Sequence, residues 1–278
     1  LIDQDEIVIE LQEAVALAAA HSRECRLCPR DCRVNRSEGE TGYCGLDDRV
    51  HCFREMLHRA EEAELSPSHQ VYFAGCNLRC RFCTVEEWNR EPLVVPALDP
   101  QWLLGRIEHR RRQGARNVNL LGGEPTVSLP GILRLLGRAH PSTPVVLNSN
   151  MYYNSSIDAL LHAFVGVYLA DLKCGDRRCA EALLDAEDYV EVARQNILMA
   201  SKHSNLIVRH LILPGHTDCC LRPTLRWLAQ EIPDVKLSLR TNYVPPAAAG
   251  PAPTGYVLPQ EAAAARDEAR NLGLRLIE

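Results

Sequence analysis

The chain has 278 residues, 46% of them hydrophobic, and a formal net charge of -5. That is enough chain for one large domain or a core with an appendage, and the negative balance gives no support to nucleic acid or an anionic membrane as a partner. No apolar run approaches the ~20 residues of a membrane helix, and no signal peptide is legible ahead of the first element, so a cytoplasmic protein without a membrane or nucleic-acid partner is expected. Residues 4–20 (QDEIVIELQEAVALAAA) carry a continuous Ala/Leu/Val face and predict an amphipathic helix. The next stretch, HSRECRLCPRDCRVNRSEGETGYCG, is polar, rich in Gly, Arg and Cys, and without periodicity, as expected of a loop-built module. Residues 61–68 link this module to the remainder of the chain, giving two regions, 1–68 and 69–278.

From residue 69 the pattern alternates. Strands are predicted at 70–75, 117–123, 144–150, 166–173, 205–213 and 234–240. Helices are predicted at 98–113, 129–139, 156–163, 188–200, 222–231 and 259–272, with a Pro/Ala/Gly loop at 244–254 before the last. Short Val/Leu/Ile-rich strands separated by helices suit a parallel sheet buried on both faces. The expected fold class is α/β, a partial (βα)6 barrel with an N-terminal helix and a cysteine-rich extension. In such barrels the reactive site lies at the C-terminal ends of the strands. Gly75–Cys83, Gly122–Pro125, Asn148–Asn150, Asp171 with Lys173, and Pro214–His216 come after five successive strands, so their polar residues are expected on one rim. The basic run Glu108–Arg116 reads as a solvated helix face.

Twelve cysteines are unusual for a chain of this kind. Clustered at short spacing, they favour thiolate–metal sites in a reducing compartment over disulfides. Cys52, Cys174 and Cys179 are isolated and read as buried free thiols. Cys76, Cys80 and Cys83, at C-x3-C-x2-C, can hold three irons of a [4Fe–4S] cluster and leave the fourth open to a substrate or cofactor. A closed zinc site needs a fourth ligand, and none is adjacent. Cys25, Cys28, Cys32 and Cys44 form a second set of four, fit for structural zinc or an auxiliary iron–sulfur cluster.

With the strand ahead of it and the GGEP of residues 122–125, the three-cysteine motif resembles that of the radical S-adenosylmethionine (SAM) superfamily, over about residues 69–243. The resemblance implies a cluster on Cys76, Cys80 and Cys83 whose open iron chelates SAM, reductive cleavage of SAM to a 5′-deoxyadenosyl radical, and hydrogen abstraction from an unactivated C–H bond. It further implies SAM contacts from Phe82, Gly122, Gly123, Glu124, Pro125, Asn148, Asn150, Asp171, Lys173 and Arg209, and an electron donor such as flavodoxin or ferredoxin. CRLCPRDCRVNR, NSNMY, YLADLKCGD and LPGHTDCCLRPTLRWL are similar to the subgroup named for pyruvate formate-lyase activating enzyme. The His216–Cys220 stretch should reach the rim after the fifth strand. A thiol there can return hydrogen to a substrate radical from the face opposite abstraction, which inverts the carbon. Cys219 or Cys220 is therefore the expected hydrogen donor of an epimerase acting on a small molecule of the carbohydrate class. The alternatives are an activase that places a glycyl radical on a partner protein and, in another class, a non-catalytic electron carrier or metal sensor.

Overall fold

The computed structural model of the chain describes residues 9–138, 144–246, 250 and 252–277. Its centre is one eight-stranded sheet in which every spatial neighbour is also a sequence neighbour. β2 (Ser68–Phe73), β3 (Val118–Gly122), β4 (Val145–Ser149), β5 (Val167–Asp171), β6 (Asn205–Leu211) and β7 (Lys236–Arg240) are the six expected strands. They pair in parallel, with Val118 beside His69 and Val145, and Asp171 beside Arg209 at the strand ends. Helices α3 (Pro100–Arg112), α4 (Leu129–Leu136), α5 (Asp158–His162), α7 (Tyr189–His203), α8 (Arg222–Glu231) and α9 (Pro259–Asn271) come after the strands in turn. The strands are buried because the helices cover them: all five residues of β4 are buried, as are Tyr168, Leu169 and Ala170 of β5.

Two strands extend this pattern. β1 (Cys52–His58) pairs antiparallel with β2, and β8 (Arg275–Ile277) adds a parallel strand beyond β7. They stand at the two edges, so the barrel is partial and open. The segment between the fourth strand and the helix predicted at 188–200 holds a further short helix, α6 (Arg177–Leu184), and α2 (Glu86–Arg90) comes after the three-cysteine loop. The first helix, α1, runs Leu11–Arg23, and residues 4–8 of the expected span lie outside the described residues. It packs on α4 and α5, burying Ala14 and Ala18. No helix among the described residues is long and apolar enough to cross a membrane.

The cysteine-rich segment is joined to the barrel by buried apolar side chains, Leu27 in the main core and Leu46 against Val127, and by polar contacts. Arg36 is almost wholly buried and donates twice to the Asp47 carbonyl and once to the Val127 carbonyl, at 2.6–3.0 Å. Arg36→Ala is expected to cost about 3 kcal/mol, since two buried carbonyls lose charge-assisted donors. Thermal unfolding measures that cost, and limited proteolysis should show new cleavage between residues 33 and 50 if the contact anchors the segment.

Candidate active site

The loop after β2 is shaped by what lies against it. Gly75 adopts φ +82, and its carbonyl accepts from Glu124 N–H at 2.9 Å. The neighbouring Gly123 N–H donates to the Phe73 carbonyl at 2.7 Å. A Cβ on Gly123 would overlap the Gly75 carbonyl, and one on Gly122 would lie 2.5 Å from the Phe73 backbone. The glycines therefore bring the backbone after β3 directly against the cysteine loop. On its other side, Arg79 N–H and Arg81 N–H donate to the Leu184 and Leu183 carbonyls of α6 at 2.9 and 2.8 Å.

Cys76, Cys80 and Cys83 line one cavity of about 270 Å³ together with Phe82, Gly122, Gly123, Asn148, Asn150, Asp171, Lys173 and Arg209. Donors surround the sulfurs: Leu78 N–H lies 3.4 Å from Cys76 Sγ, Asn150 Nδ2 3.8 Å from the same atom, and Asn89 Nδ2 3.5 Å from Cys83 Sγ. Burial, and then the neighbouring Cys80, lift the Cys76 thiol well above its ordinary value. Burial pushes Cys80 up to about 12, although Lys173 works against it. Thiols raised in this way, Cys76 and Cys80, ionise readily only with a metal beside them.

Charges complete the wall. Arg209 Nε donates to Asp171 at 2.6 Å and Lys173 Nζ does so at 2.8 Å, while Arg209 Nη2 donates to Asn148 Oδ1 at 2.6 Å. Burial would raise Asp171, but the two cations outweigh it and hold the carboxyl well below the usual range. Arg209 also reaches Glu61 at 3.3 Å. Burial, and then its neighbour Glu62, raise Glu61 against the pull of Arg209, whereas for Glu62 burial is outweighed by Arg209 and the hydrogen bond with Glu61, which lower it.

The family profile described as the Radical SAM superfamily matches residues 71–228. The chain belongs to the radical SAM superfamily. It is 33% identical over 238 residues to the uncharacterized protein MJ0674 of Methanocaldococcus jannaschii, covering 83% of this chain and 69% of that one. It is 35% identical over 66 residues to the 7-carboxy-7-deazaguanine synthase of Clostridium acetobutylicum, covering 24% of this chain and 28% of that one. Among solved structures, Streptococcus suis SuiB bound to S-adenosylmethionine superimposes with a TM-score of 0.56 at 16% identity, covering 72% of this chain and 47% of SuiB. The chain thus spans about half the length of SuiB, and the likeness is one of fold.

Membership in the radical SAM superfamily implies a [4Fe–4S] cluster, SAM, a reductant and a substrate. The residues present fit the two cofactors: three thiols lining one cavity, a glycine pair admitting no Cβ, and cations beside a low-pKa carboxylate. Not every expected SAM-contact residue lines the cavity. Glu124 is buried behind Gly123, where its carboxylate accepts from Thr126 N–H, Thr126 Oγ1, Ser149 Oγ and Asn150 N–H at 2.8–3.1 Å. It ties the end of β3 to the end of β4 and positions Asn150. Pro125 is buried beside it and opens the turn into α4.

The other two cysteine sets lie apart. Cys25, Cys28, Cys32 and Cys44 line a separate small cavity with Arg30, Arg36 and Tyr43. Burial pushes Cys28 up to about 12. Tyr43 lies between two guanidinium groups, Arg30 at 3.8 Å and Arg79 at 4.2 Å from its ring centre, and Arg79 donates to the Tyr43 carbonyl. The second set therefore touches the three-cysteine loop through Arg79. Cys219 and Cys220 come after β6 in a π-helical turn, Thr217–Leu221. Neither lines the cavity over the three cysteines or its extension toward β7. They face His216 and Cys179, a residue expected only to pack. Glu61, Arg240 and Tyr243 escaped the sequence reading. Each stands in irregular chain or at a strand end, with no motif around it.

Proposed function

We propose that this radical SAM enzyme takes a hydrogen atom from a small polar substrate, of the carbohydrate class, bound beside SAM at the open rim between β6 and β7. The observation carrying the proposal is that a second cavity, of about 290 Å³, continues from the first through Phe82, Asp171, Lys173 and Arg209 and ends at Arg240, Asn242 and Tyr243. This is the volume of a small-molecule site, with hydrogen-bonding groups at its outer end. When bound, the cluster and SAM supply one-electron cleavage of a sulfonium and a carbon radical able to attack an unactivated C–H bond.

The chain's own residues bind, orient and exclude water. Lys173 and Arg209 keep positive charge on the cavity wall and would hold the carboxylate of SAM, and Asp171 offers a fixed acceptor beside them. Asn148 and Asn150 present amides at the adjoining strand end. Phe82, held edge-on to Tyr243 at 6.4 Å between ring centres, gives an apolar wall where the two cavities meet. On the same reading, residues 1–68 form a module whose Cys25, Cys28, Cys32 and Cys44 hold a second metal beside the barrel of 69–278.

The likeness to the pyruvate formate-lyase activating enzyme subgroup leaves two fates for a substrate radical. Return of hydrogen from Cys219 or Cys220 makes the reaction an epimerisation and requires one thiol to reach the cavity. The placement of both outside its lining favours a reaction that ends without them. A glycine of a partner protein as substrate is the other reading, and the modest size of the two cavities, about 270 and 290 Å³, favours a small molecule over it.

Anaerobically reconstituted wild type, given dithionite and SAM, is expected to release 5′-deoxyadenosine. Cys80→Ala should lose the cluster iron and release none. If the wild type binds iron at the three cysteines and leaves SAM intact, the proposal is wrong. With a carbohydrate substrate in D2O, deuterium on product carbon would restore the thiol-return reading.

A further inference from the structure

Four metal-binding side chains converge where no cofactor of the reaction is needed. Cys179 lies in the first turn of α6, His216 in the loop after β6, and Cys219 and Cys220 in the π-helical turn that leads into α8. Their three Sγ atoms and the His216 nitrogen all lie within 4.8 Å of one another, a convergence shown by no other set of donors among the described residues. His216 Nδ1 stands 3.5 Å from Cys179 Sγ, 3.4 Å from Cys219 Sγ and 3.9 Å from Cys220 Sγ.

These separations carry chemical information. A tetrahedral zinc with Zn–S of about 2.3 Å and Zn–N of about 2.0 Å has N···S edges of about 3.5 Å and S···S edges of about 3.8 Å. The three N···S distances scatter around that edge. In an iron–sulfur cluster each thiolate binds its own iron, so the sulfurs spread around a multi-atom core. Here they surround a single point.

The backbone is arranged to keep them there. The His216 carbonyl accepts from Cys220 N–H at 2.9 Å and Leu221 N–H at 3.2 Å, which closes the π-helical turn and sets the two adjacent thiols beside the imidazole. Asp176 caps α6 by accepting from Cys179 N–H at 2.8 Å. Gly175 passes so close to the Cys219 and Cys220 carbonyls that no Cβ fits. The carboxylates nearby are engaged elsewhere: Asp176 in that cap and Asp218 in an ion pair with Arg222. The donor set is thus three sulfurs and one nitrogen, a soft combination suited to zinc, with no position left open for substrate.

We propose that Cys179, His216, Cys219 and Cys220 form a closed structural zinc site. Each thiol releases its proton to solvent as it binds. The ion joins the first turn of α6 to the chain after β6, and α6 in turn holds the three-cysteine loop through the Leu183 and Leu184 carbonyls. The zinc would brace the cluster loop from outside without entering the reaction.

The test is a metal count and zinc K-edge absorption on full-length protein purified under reducing conditions from zinc-supplemented medium. Wild type is expected to hold about one zinc per chain more than Cys179→Ser and His216→Ala, with iron unchanged, and its edge should contain a histidine nitrogen. His216→Cys keeps four donors, so it should retain the zinc and lose the nitrogen signal, which separates loss of a ligand from loss of the fold. Equal zinc in wild type and both ligand variants overturns the proposal. So does iron in place of zinc at this site, or a disulfide among Cys179, Cys219 and Cys220 found by mass spectrometry of the reduced-purified protein.

Discussion

Gly122→Ala is expected to cost about 4 kcal/mol or more and to strip the cluster iron, among the largest effects of any single methyl group in this chain. Two penalties coincide. Gly122 adopts φ +117, a backbone region closed to residues with a Cβ, and the added carbon would lie 2.5 Å from both the Phe73 nitrogen and its carbonyl oxygen. Those atoms belong to the neighbouring strand, so relief would require separating β3 from β2 at the rim. Gly105 provides the contrast. It lies in α3 with open space around its Cα, so Gly105→Ala should stabilise by about 0.5–1 kcal/mol. Urea unfolding of both variants, with iron counted after reconstitution, checks the pair. Near-wild-type stability and iron in Gly122→Ala would show that β2 and β3 part at the rim at little cost.

Arg209→Ala is expected to cost about 3–5 kcal/mol at pH 7, the range for leaving buried charges without their partner. Asp171 and Glu61 both contact this guanidinium, and Asn148 loses a donor with it. The effect has a pH signature. Asp171 is held below its unfolded value, so its stabilisation is present above the usual carboxylate range and is lost as pH falls through its folded pKa. The gap between wild type and variant should therefore be widest near neutrality and narrow as pH falls below that range. Arg209→Lys should recover part of the charge but not the three-way contact. A gap independent of pH would mean that packing, not the ion pair, sets the cost. SAM affinity should fall in parallel, because Lys173 is then the cation left beside Asp171.

The barrel is legible in the sequence where local pattern and burial agree. VVLNS and VYLAD are apolar because both sheet faces are covered, and a polar residue ends each where the strand meets the rim. The three cysteines are visible because their spacing is short and they come directly after such a strand. β1 is not, because CFREMLH is half-exposed along most of its length, so neither a buried run nor a clean alternation marks it. The motif around Glu124 points to the ligand, whereas its hydrogen bonds go to Thr126, Ser149 and Asn150. Cys179 and His216 are 37 residues apart, and only the pairing of β5 with β6 brings them together. Spacing reveals ligands on one loop but hides those assembled from two.

The strictly sequential strand order has a consequence for how the chain is made. Each strand can dock on the one synthesised just before it, so the sheet grows outward from β1 without awaiting distant chain. The cysteine loop is different. Two of its amides are satisfied by Leu183 and Leu184, about a hundred residues later. The loop is therefore finished only after α6 has emerged, and iron loaded at the ribosome would meet an incomplete pocket. Completion of this loop thus waits on α6, with β1 to β5 already synthesised and β6 to β8 still to come.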